Sequence, residues 1–251
     1  MRVDKFLSSM KFCTRKQAKS FLETHEFMIE NKRIYAQNHS FDPTTEKVYI
    51  DQVYIYYEFP IHLMLNKPKG YVSANKDEMF PCVTDLIKEP YHRFDFSIAG
   101  RLDVDTEGLL ILTTDGKFLH EITHPNYHLP KVYEAHLDQP FHHETELLEG
   151  VSILDGKQNP YIAKALEIKT HEHIVYITID EGKFHQVKRM FSSQGYKVIY
   201  LKRIKIGKLS LGDLKLGECQ KIERRDLVDW NYHESIWCAW RDIRRSKTKR
   251  N

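Results

Sequence analysis

Cysteine is scarce in this chain, four in 251 residues, and Cys13, Cys82, Cys219 and Cys238 form no C-x-x-C pair. Thiols scattered in this way exclude a disulfide framework and a cysteine-based zinc site, and read as reduced bystanders. Apolar runs of membrane-spanning length are missing, and Met1-Arg2-Val3-Asp4-Lys5 passes straight into helical periodicity without a signal-peptide stretch. A soluble, cytoplasmic protein is therefore expected. There is neither a Walker-A sequence nor a G-x-G-x-x-G after a strand, which argues against a nucleotide triphosphate or a dinucleotide cofactor. Histidines cluster at His120, His124 and His128 and at His142 and His143, but without H-E-x-x-H or a cysteine at ligand spacing they predict no metal site. Internal repeats are absent, as are low-complexity tracts before the basic tail.

What is present begins with length, enough for one large domain or two small ones with a buried core. Net charge is only +3, so its distribution says more than its size. Basic residues gather at Lys11-Arg15-Lys16-Lys19, at Lys67 and Lys69, at Lys183-Lys188-Arg189, at Lys202-Arg203-Lys205-Lys208, and in a tail from Arg241 to Arg250. Tyrosines and phenylalanines lie among them, the combination that phosphate attraction and base stacking require, although each cluster can also be a solvated face.

The N-terminal segment resolves element by element. Val3, Phe6, Leu7 and Met10 recur at helical spacing, and Thr14-Arg15-Lys16-Gln17 is a capping box opening a second helix with Ala18, Phe21 and Leu22 on its apolar side. Arg15 and Lys19 stand one turn apart and project together from the other side. Phe27 to Tyr35 predicts a tight hairpin with Asn31 available for a positive φ. Two short helices, a basic helix face and a small sheet resemble the S4 RNA-binding domain over about Met1 to Asp51. That resemblance implies contact with structured RNA through shape and phosphate. One departure is Asn31-Lys32 where the family has a glycine in the turn.

A boundary near Tyr57-Glu58-Phe59-Pro60 divides the chain into 1–58, 59–229 and a basic extension 230–251 carrying Trp230, Trp237 and Trp240. Beyond it, Ile61 to Leu65 predicts a strand ended by Asn66-Lys67-Pro68-Lys69-Gly70-Tyr71, a turn with both lysines pointing outward. Gly100-Arg101-Leu102-Asp103-Val104-Asp105-Thr106-Glu107-Gly108 then presents a carboxylate in a polar loop running into the apolar Leu109 to Leu112. This is how α+β scaffolds offer a reactive side chain at a cleft rim, though Arg101 and Asp103 can also form a simple loop ion pair. Thr114-Asp115-Gly116 is a turn and Lys117 to Ile122 a helix. Lys131 to Leu137 alternates as a strand with Tyr133, Ala135 and Leu137 on one side, where Tyr133 can be a core aromatic. Ile174 to Ile179 is a further strand, leading through Asp180-Glu181-Gly182-Lys183 into a helix that buries Val187, Met190 and Phe191 beside Lys188 and Arg189. Val198 to Ile206 follows as a strand.

Five of these segments, in this order, resemble the RsuA-type family of pseudouridine synthases across nearly the whole chain. They are L-N-K-P-K-G-Y at Leu65 to Tyr71, G-R-L-D-V-D-T-E-G-L-L at Gly100 to Leu110, K-V-Y at Lys131 to Tyr133, E-G-K-F-H-Q-V-K-R-M-F at Glu181 to Phe191, and L-K-R-I-K-I-G at Leu201 to Gly207. The resemblance implies an α+β fold, with the S4-like domain ahead of a long, bent, mainly antiparallel sheet flanked by helices. It implies isomerisation of a uridine within RNA without a cofactor, in which the ribose bond moves from N1 to C5 of the uracil. By the same resemblance Asp103 is the carboxylate at the sugar, as nucleophile or as base for the 2′ proton. Lys188 is its charge partner, and Tyr133 stacks on the uracil and helps take the C5 proton. Arg101 would enter the gap left by the extruded base. Lys67, Lys69, Arg189 and Arg203 would contact the RNA backbone, and Arg15, Lys16 and Lys19 the RNA bound by the S4-like domain.

Within the family, His124 to Tyr133 and the D-V-D-T-E-G-L stretch look most like the enzymes that modify small-subunit 16S rRNA at uridine 516. A monomer acting on 16S rRNA or an assembling subunit is expected, with 23S rRNA as the alternative. Two other classes stay open: a non-catalytic RNA chaperone, and a hydrolase of N-glycosidic bonds using Asp105 or Glu107 as a second carboxylate, although both are expected to be structural.

Overall fold

The computed structural model describes residues 1–124 and 129–227. The extension 230–251, its three tryptophans and Cys238, and His128 of the histidine cluster lie outside the described residues.

The first helix, α1 (Val3–Ser9), forms where the sequence pattern places it, with Val3, Phe6 and Leu7 buried. The Thr14 box opens a 3₁₀ turn (Arg15–Gln17) that passes into α2 (Ala18–Thr24). Gln17 Oε1 accepts from both Thr14 N (3.1 Å) and Thr14 Oγ1 (2.7 Å), closing the turn. β1 (Phe27–Ile29), β2 (Lys32–Arg33), β3 (Val48–Ile50) and β4 (Val53–Ile55) make an antiparallel sheet in the order β2-β1-β3-β4. Phe6, Phe27 and Phe41 meet edge to face at 5.4–6.3 Å, the arrangement aromatic quadrupoles favour.

The hairpin turn corrects one expectation: Glu30, not Asn31, takes the left-handed conformation, with φ 50°. Glu30 N donates to Lys47 O at 2.8 Å, and Lys47 N donates to Glu30 Oε1 at 2.8 Å. Those two bonds offset the roughly 1 kcal/mol such a conformation costs a non-glycine residue.

The second part is built on one mixed sheet. Its strands are β5 (His62–Lys67), β6 (Ser97–Ala99), β7 (Glu107–Thr113), β8 (Lys131–Leu137), β11 (Glu167–His171), β12 (Ile174–Ile179), β13 (Val198–Ile206), β14 (Leu209–Ser210) and β15 (Cys219–Lys221). The main path runs β11-β12-β8-β13-β7-β5-β15, with β6 on β7 and β14 on β13. A separate hairpin, β9 (Val151–Leu154) and β10 (Pro160–Ala163), lies outside it. The helices are α3 (Gly116–Thr123), α4 (Glu144–Glu149), α5 (Gln186–Ser193) and α6 (Arg224–Leu227).

β7 explains why the sheet needs helices on both faces. Leu110 and Leu112 enter one apolar core and Leu109 and Ile111 the other, all of them fully buried. A strand covered on both sides reads as a continuous apolar run, and each such side chain contributes roughly 2 kcal/mol. β5 likewise is buried at every position from His62 to Lys67.

The sheet joins two antiparallel halves at a parallel pair, β13 against β7, with Lys202 opposite Glu107 and Arg203 opposite Gly108. On its other edge β13 pairs with β8, placing Arg203 opposite Tyr133. Gly108, Arg203 and Tyr133 thus form one row across three strands. Gly108 has φ 107°, and a Cβ there would lie 2.2 Å from the Arg203 carbonyl oxygen, so only glycine lets the two strands meet.

Candidate active site

The loop between β6 and β7, residues 100–106, hangs over this join and is fixed largely by its backbone. Ser73 Oγ accepts from Leu102 N (3.0 Å) and donates to Leu102 O (2.8 Å). Gly70 N donates to Val104 O at 2.8 Å, and Thr106 N to Asp103 O at 3.1 Å. Lys67 completes the clamp: its Nζ donates to the carbonyls of Thr106 (2.8 Å), Pro68 (3.0 Å) and Val104 (3.3 Å). Burial pushes the Lys67 ammonium down to about 8, against the opposing pull of Asp105, Asp103 and Glu107.

The side chains of the loop face the other way, toward α5. Lys188 Nζ lies 3.1 Å from Asp103 Oδ2 and 2.6 Å from Asp105 Oδ1. Burial alone would lower the Lys188 pKa, but its hydrogen bonds to Asp105 and Asp103 outweigh it and hold the ammonium above its ordinary value. Asp105 shows the complement: desolvation would raise its pKa, and the bond and charge of Lys188 bring it below the usual carboxylate range. His185, left-handed at φ 52° just before α5, places Nε2 3.4 Å from Asp103 Oδ1. Its ring stacks on Phe184 at 3.8 Å between centroids.

Tyr133 stands on the inner face of β8 and is buried, with its hydroxyl 3.4 Å from Arg203 Nη1. A cavity of about 460 Å³ brings Asp103, Lys188, His185, Tyr133, Lys131 and Arg203 to one surface, a size in the ~300–1,000 Å³ range of small-ligand sites. Arg101 is exposed at its rim. Asp103, Lys188 and Tyr133, expected to act together, thus share one cavity although they come from three distant segments.

Two expected RNA contacts are corrected. Lys67 and Arg203 are buried, at 0% and 1% exposure, and cannot reach a phosphate. Lys67 belongs to β5 rather than to an outward turn. Arg203 donates Nε to Leu109 O (2.8 Å) and Nη2 to Gly100 O (2.5 Å), tying both ends of the loop 100–106 to β13. Arg189 is half-buried, and its Nη1 donates to the carbonyls of Leu154 and Asp155, which links the β9–β10 hairpin to α5. Lys69 remains exposed, its Nζ 5.0 Å from the centre of the Tyr200 ring. On the N-terminal unit Lys16 and Lys19 are exposed, while Arg15 bridges to the buried Asp4 at 3.1 Å.

Glu107 accepts from Tyr200 Oη at 2.9 Å, a structural role. Asp105 shares the ammonium of Lys188, a link its sequence position did not reveal. Sequence reasoning also missed Ser73, His185 and Lys131. For Lys131 a signal existed: it lies two residues from Tyr133 on the same alternating buried face of β8.

Residues 61–193 match the family model described as RNA pseudouridylate synthase. An uncharacterized RNA pseudouridine synthase of Bacillus subtilis is 40% identical over 90% of this chain and 97% of its own length. The ribosomal small subunit pseudouridine synthase A of Pasteurella multocida is 35% identical over 92% of this chain and 100% of its own, and that of Escherichia coli K12 33% identical over 91% and 99%. A crystal structure of a pseudouridylate synthase superposes with a TM-score of 0.61 at 33% identity, covering 91% of this chain and 100% of that one. The chain therefore belongs to the RNA pseudouridine synthases of the RsuA type, and is an isomerase.

Proposed function

We propose that this enzyme isomerises one uridine of small-subunit 16S rRNA, with Asp103 as the carboxylate that acts on the ribose. The observation that carries the proposal is the Asp103–Lys188 pair inside a cavity lined by Tyr133. The Lys188 ammonium, 3.1 Å from Asp103 Oδ2, holds the carboxylate in place at the cavity lining. The relatives named for the ribosomal small subunit support the choice of substrate.

The target nucleoside leaves its stack at a cost of a few kcal/mol and enters the cavity, with Arg101 at the rim to fill the gap or hold a phosphate. Asp103 attacks C1′ or removes the 2′ proton, the bond to N1 breaks, the uracil turns, and C5 joins the same carbon. Tyr133 stacks on the base, and its hydroxyl helps to remove the C5 proton after the bond is remade. The N-terminal unit, S4-like in its two helices and sheet, grips structured RNA with Lys16 and Lys19. Atoms are neither gained nor lost, so no cofactor enters the reaction.

The test is incubation with 16S and 23S transcripts, free and in assembling particles, followed by pseudouridine mapping at nucleotide resolution. Modification of a single 16S uridine is expected. Modification of 23S rRNA alone would overturn the substrate, and release of free uracil would overturn isomerisation.

A further inference from the structure

Breaking the bond between ribose and uracil separates charge. Its electron pair leaves with N1, so the sugar becomes electron-poor and the base becomes an anion delocalised over its ring nitrogens and carbonyl oxygens. Asp103 answers the first demand. The second needs a preorganised donor on the opposite side of the bond, because an anion formed in a closed cavity cannot wait for water.

Lys131 and Arg203, which the reaction as described does not use, also line this cavity. Lys131 is buried on β8 two residues from Tyr133, so both side chains emerge on one face of the strand. Its Nζ donates to Leu129 O at 2.7 Å and to Asp180 O at 3.3 Å. An ammonium has three N–H donors, so a third is left for a ligand. Arg203 stands beside it, its bonds running to the neutral oxygens of Leu109, Gly100 and Tyr133. Burial, then the Arg203 charge, push the Lys131 pKa down to about 8, while Asp180 and Glu181 oppose the shift. The mouth of the cavity, by contrast, holds two carboxylates to one lysine, Asp103 and Asp105 around Lys188. Asp103 with Lys188 and Lys131 with Arg203 are thus separate charged groups of one lining, the second with Asp180 and Glu181 beside it.

We propose that Lys131, with Arg203 behind it, donates a hydrogen bond to a carbonyl oxygen of the uracil and stabilises the anion formed when the glycosidic bond breaks. The inference rests on the reaction proposed above. As the C1′–N1 bond breaks, its electron pair passes to the uracil, and either an Asp103 oxygen bonds to C1′ or the 2′ proton moves to Asp103 as C1′=C2′ forms. When C5 then bonds to C1′, the Asp103–C1′ bond breaks or the 2′ proton returns from Asp103 to C2′, and the ring gives up its charge; the Tyr133 hydroxyl passes on its own proton as it receives the one from C5, and N1 gains one, so the tyrosine ends as it began. Lys131 keeps its own proton throughout.

Lys131→Met tests this under single-turnover conditions on RNA carrying either uridine or 5-fluorouridine at the target, following loss of that nucleoside by nuclease digestion and mass spectrometry. Fluorine stabilises the uracil anion by itself, so the need for the cation falls. On uridine the variant should be about 10²-fold slower, the effect of removing one donor to a developing anion, with RNA affinity unchanged. On 5-fluorouridine the deficit should shrink to under about tenfold. Equal deficits on both substrates, or none, would overturn the proposal.

Wild-type enzyme supplies a second measurement that does not depend on how the variant folds. 5-Nitrouracil, an anion at neutral pH, should inhibit at a concentration at least about tenfold lower than uracil, and equal inhibition would overturn the idea. If wild-type enzyme forms no pseudouridine in any RNA, the reaction itself is wrong. If it does and the deficits match, only the role of Lys131 falls.

Discussion

Two lysines hold opposite sides of loop 103–106, and they do so through different atoms. Lys188 takes the side chains of Asp103 and Asp105, whereas Lys67 takes the backbone oxygens of Val104 and Thr106. Alternation along the loop sends carboxylates one way and carbonyls the other. Paired with charge, Lys188 is held above its ordinary pKa; paired with dipoles and fully buried, Lys67 is pushed down to about 8. One residue type thus performs two tasks: Lys188 pairs with the carboxylates of the loop, and Lys67 fixes where its backbone stands.

Removing the charged side should cost most. Lys188→Met leaves two carboxylates facing each other at the mouth, and kcat should fall by about 10²–10³-fold, the range for loss of one preorganised electrostatic partner. Single-turnover kinetics at saturating RNA check this, and a rate within tenfold of wild type would break the contrast between the lysines.

The join beneath the loop comes next. Gly108→Ala forces a Cβ into the Arg203 carbonyl at a left-handed φ, which should cost about 3 kcal/mol in denaturant unfolding. A loss below about 1 kcal/mol would mean that the β7–β13 pairing does not fix the loop.

Lys67→Met isolates the dipole-paired side. The Lys67 pKa in the folded protein, about 8, lies below its ordinary value of 10.5. Between those values the unfolded chain binds more protons, so the Lys67 contribution to stability grows as pH rises and is flat below pH 8. The stability of wild type relative to the variant should therefore increase from pH 8 to 10, by at most about 1.4 kcal/mol per pH unit. A constant or shrinking difference would contradict the burial of a charged Lys67.

The smallest effect concerns cations that meet neither charge nor dipole in the fold. The double variant Lys16→Ala, Lys19→Ala should lower the slope of log Kd for RNA against log salt by about one to two. At saturating RNA its turnover should stay at the wild-type value.

Legibility followed the same division. Strands β7, β8, β12 and β13 and helices α3 and α5 announce themselves through apolar runs, alternation and caps, because those patterns are local. The bringing together of Asp103, Tyr133 and Lys188 was visible only through motif resemblance, since their neighbourhood depends on strands paired across about a hundred residues. The fates of Lys67 and Arg203 were not visible. A basic residue in sequence suggests solvent, and only the tertiary cover, loop 100–106 over Lys67 and the β7–β8 flank around Arg203, shows otherwise. The hairpin β9–β10 was missed because its burial alternates over only four residues a strand. Glu30 took the place of Asn31 because a partner strand, seventeen positions on, supplied two hydrogen bonds.

The most direct measurement is single-turnover pseudouridine formation by Asp103→Asn at an RNA concentration that matches wild-type occupancy. Asparagine keeps the shape and loses the charge, so formation should fall by about 10⁴-fold or more while RNA affinity stays within about twofold. Turnover within tenfold of wild type at equal occupancy would show that the ribose is acted on by another group.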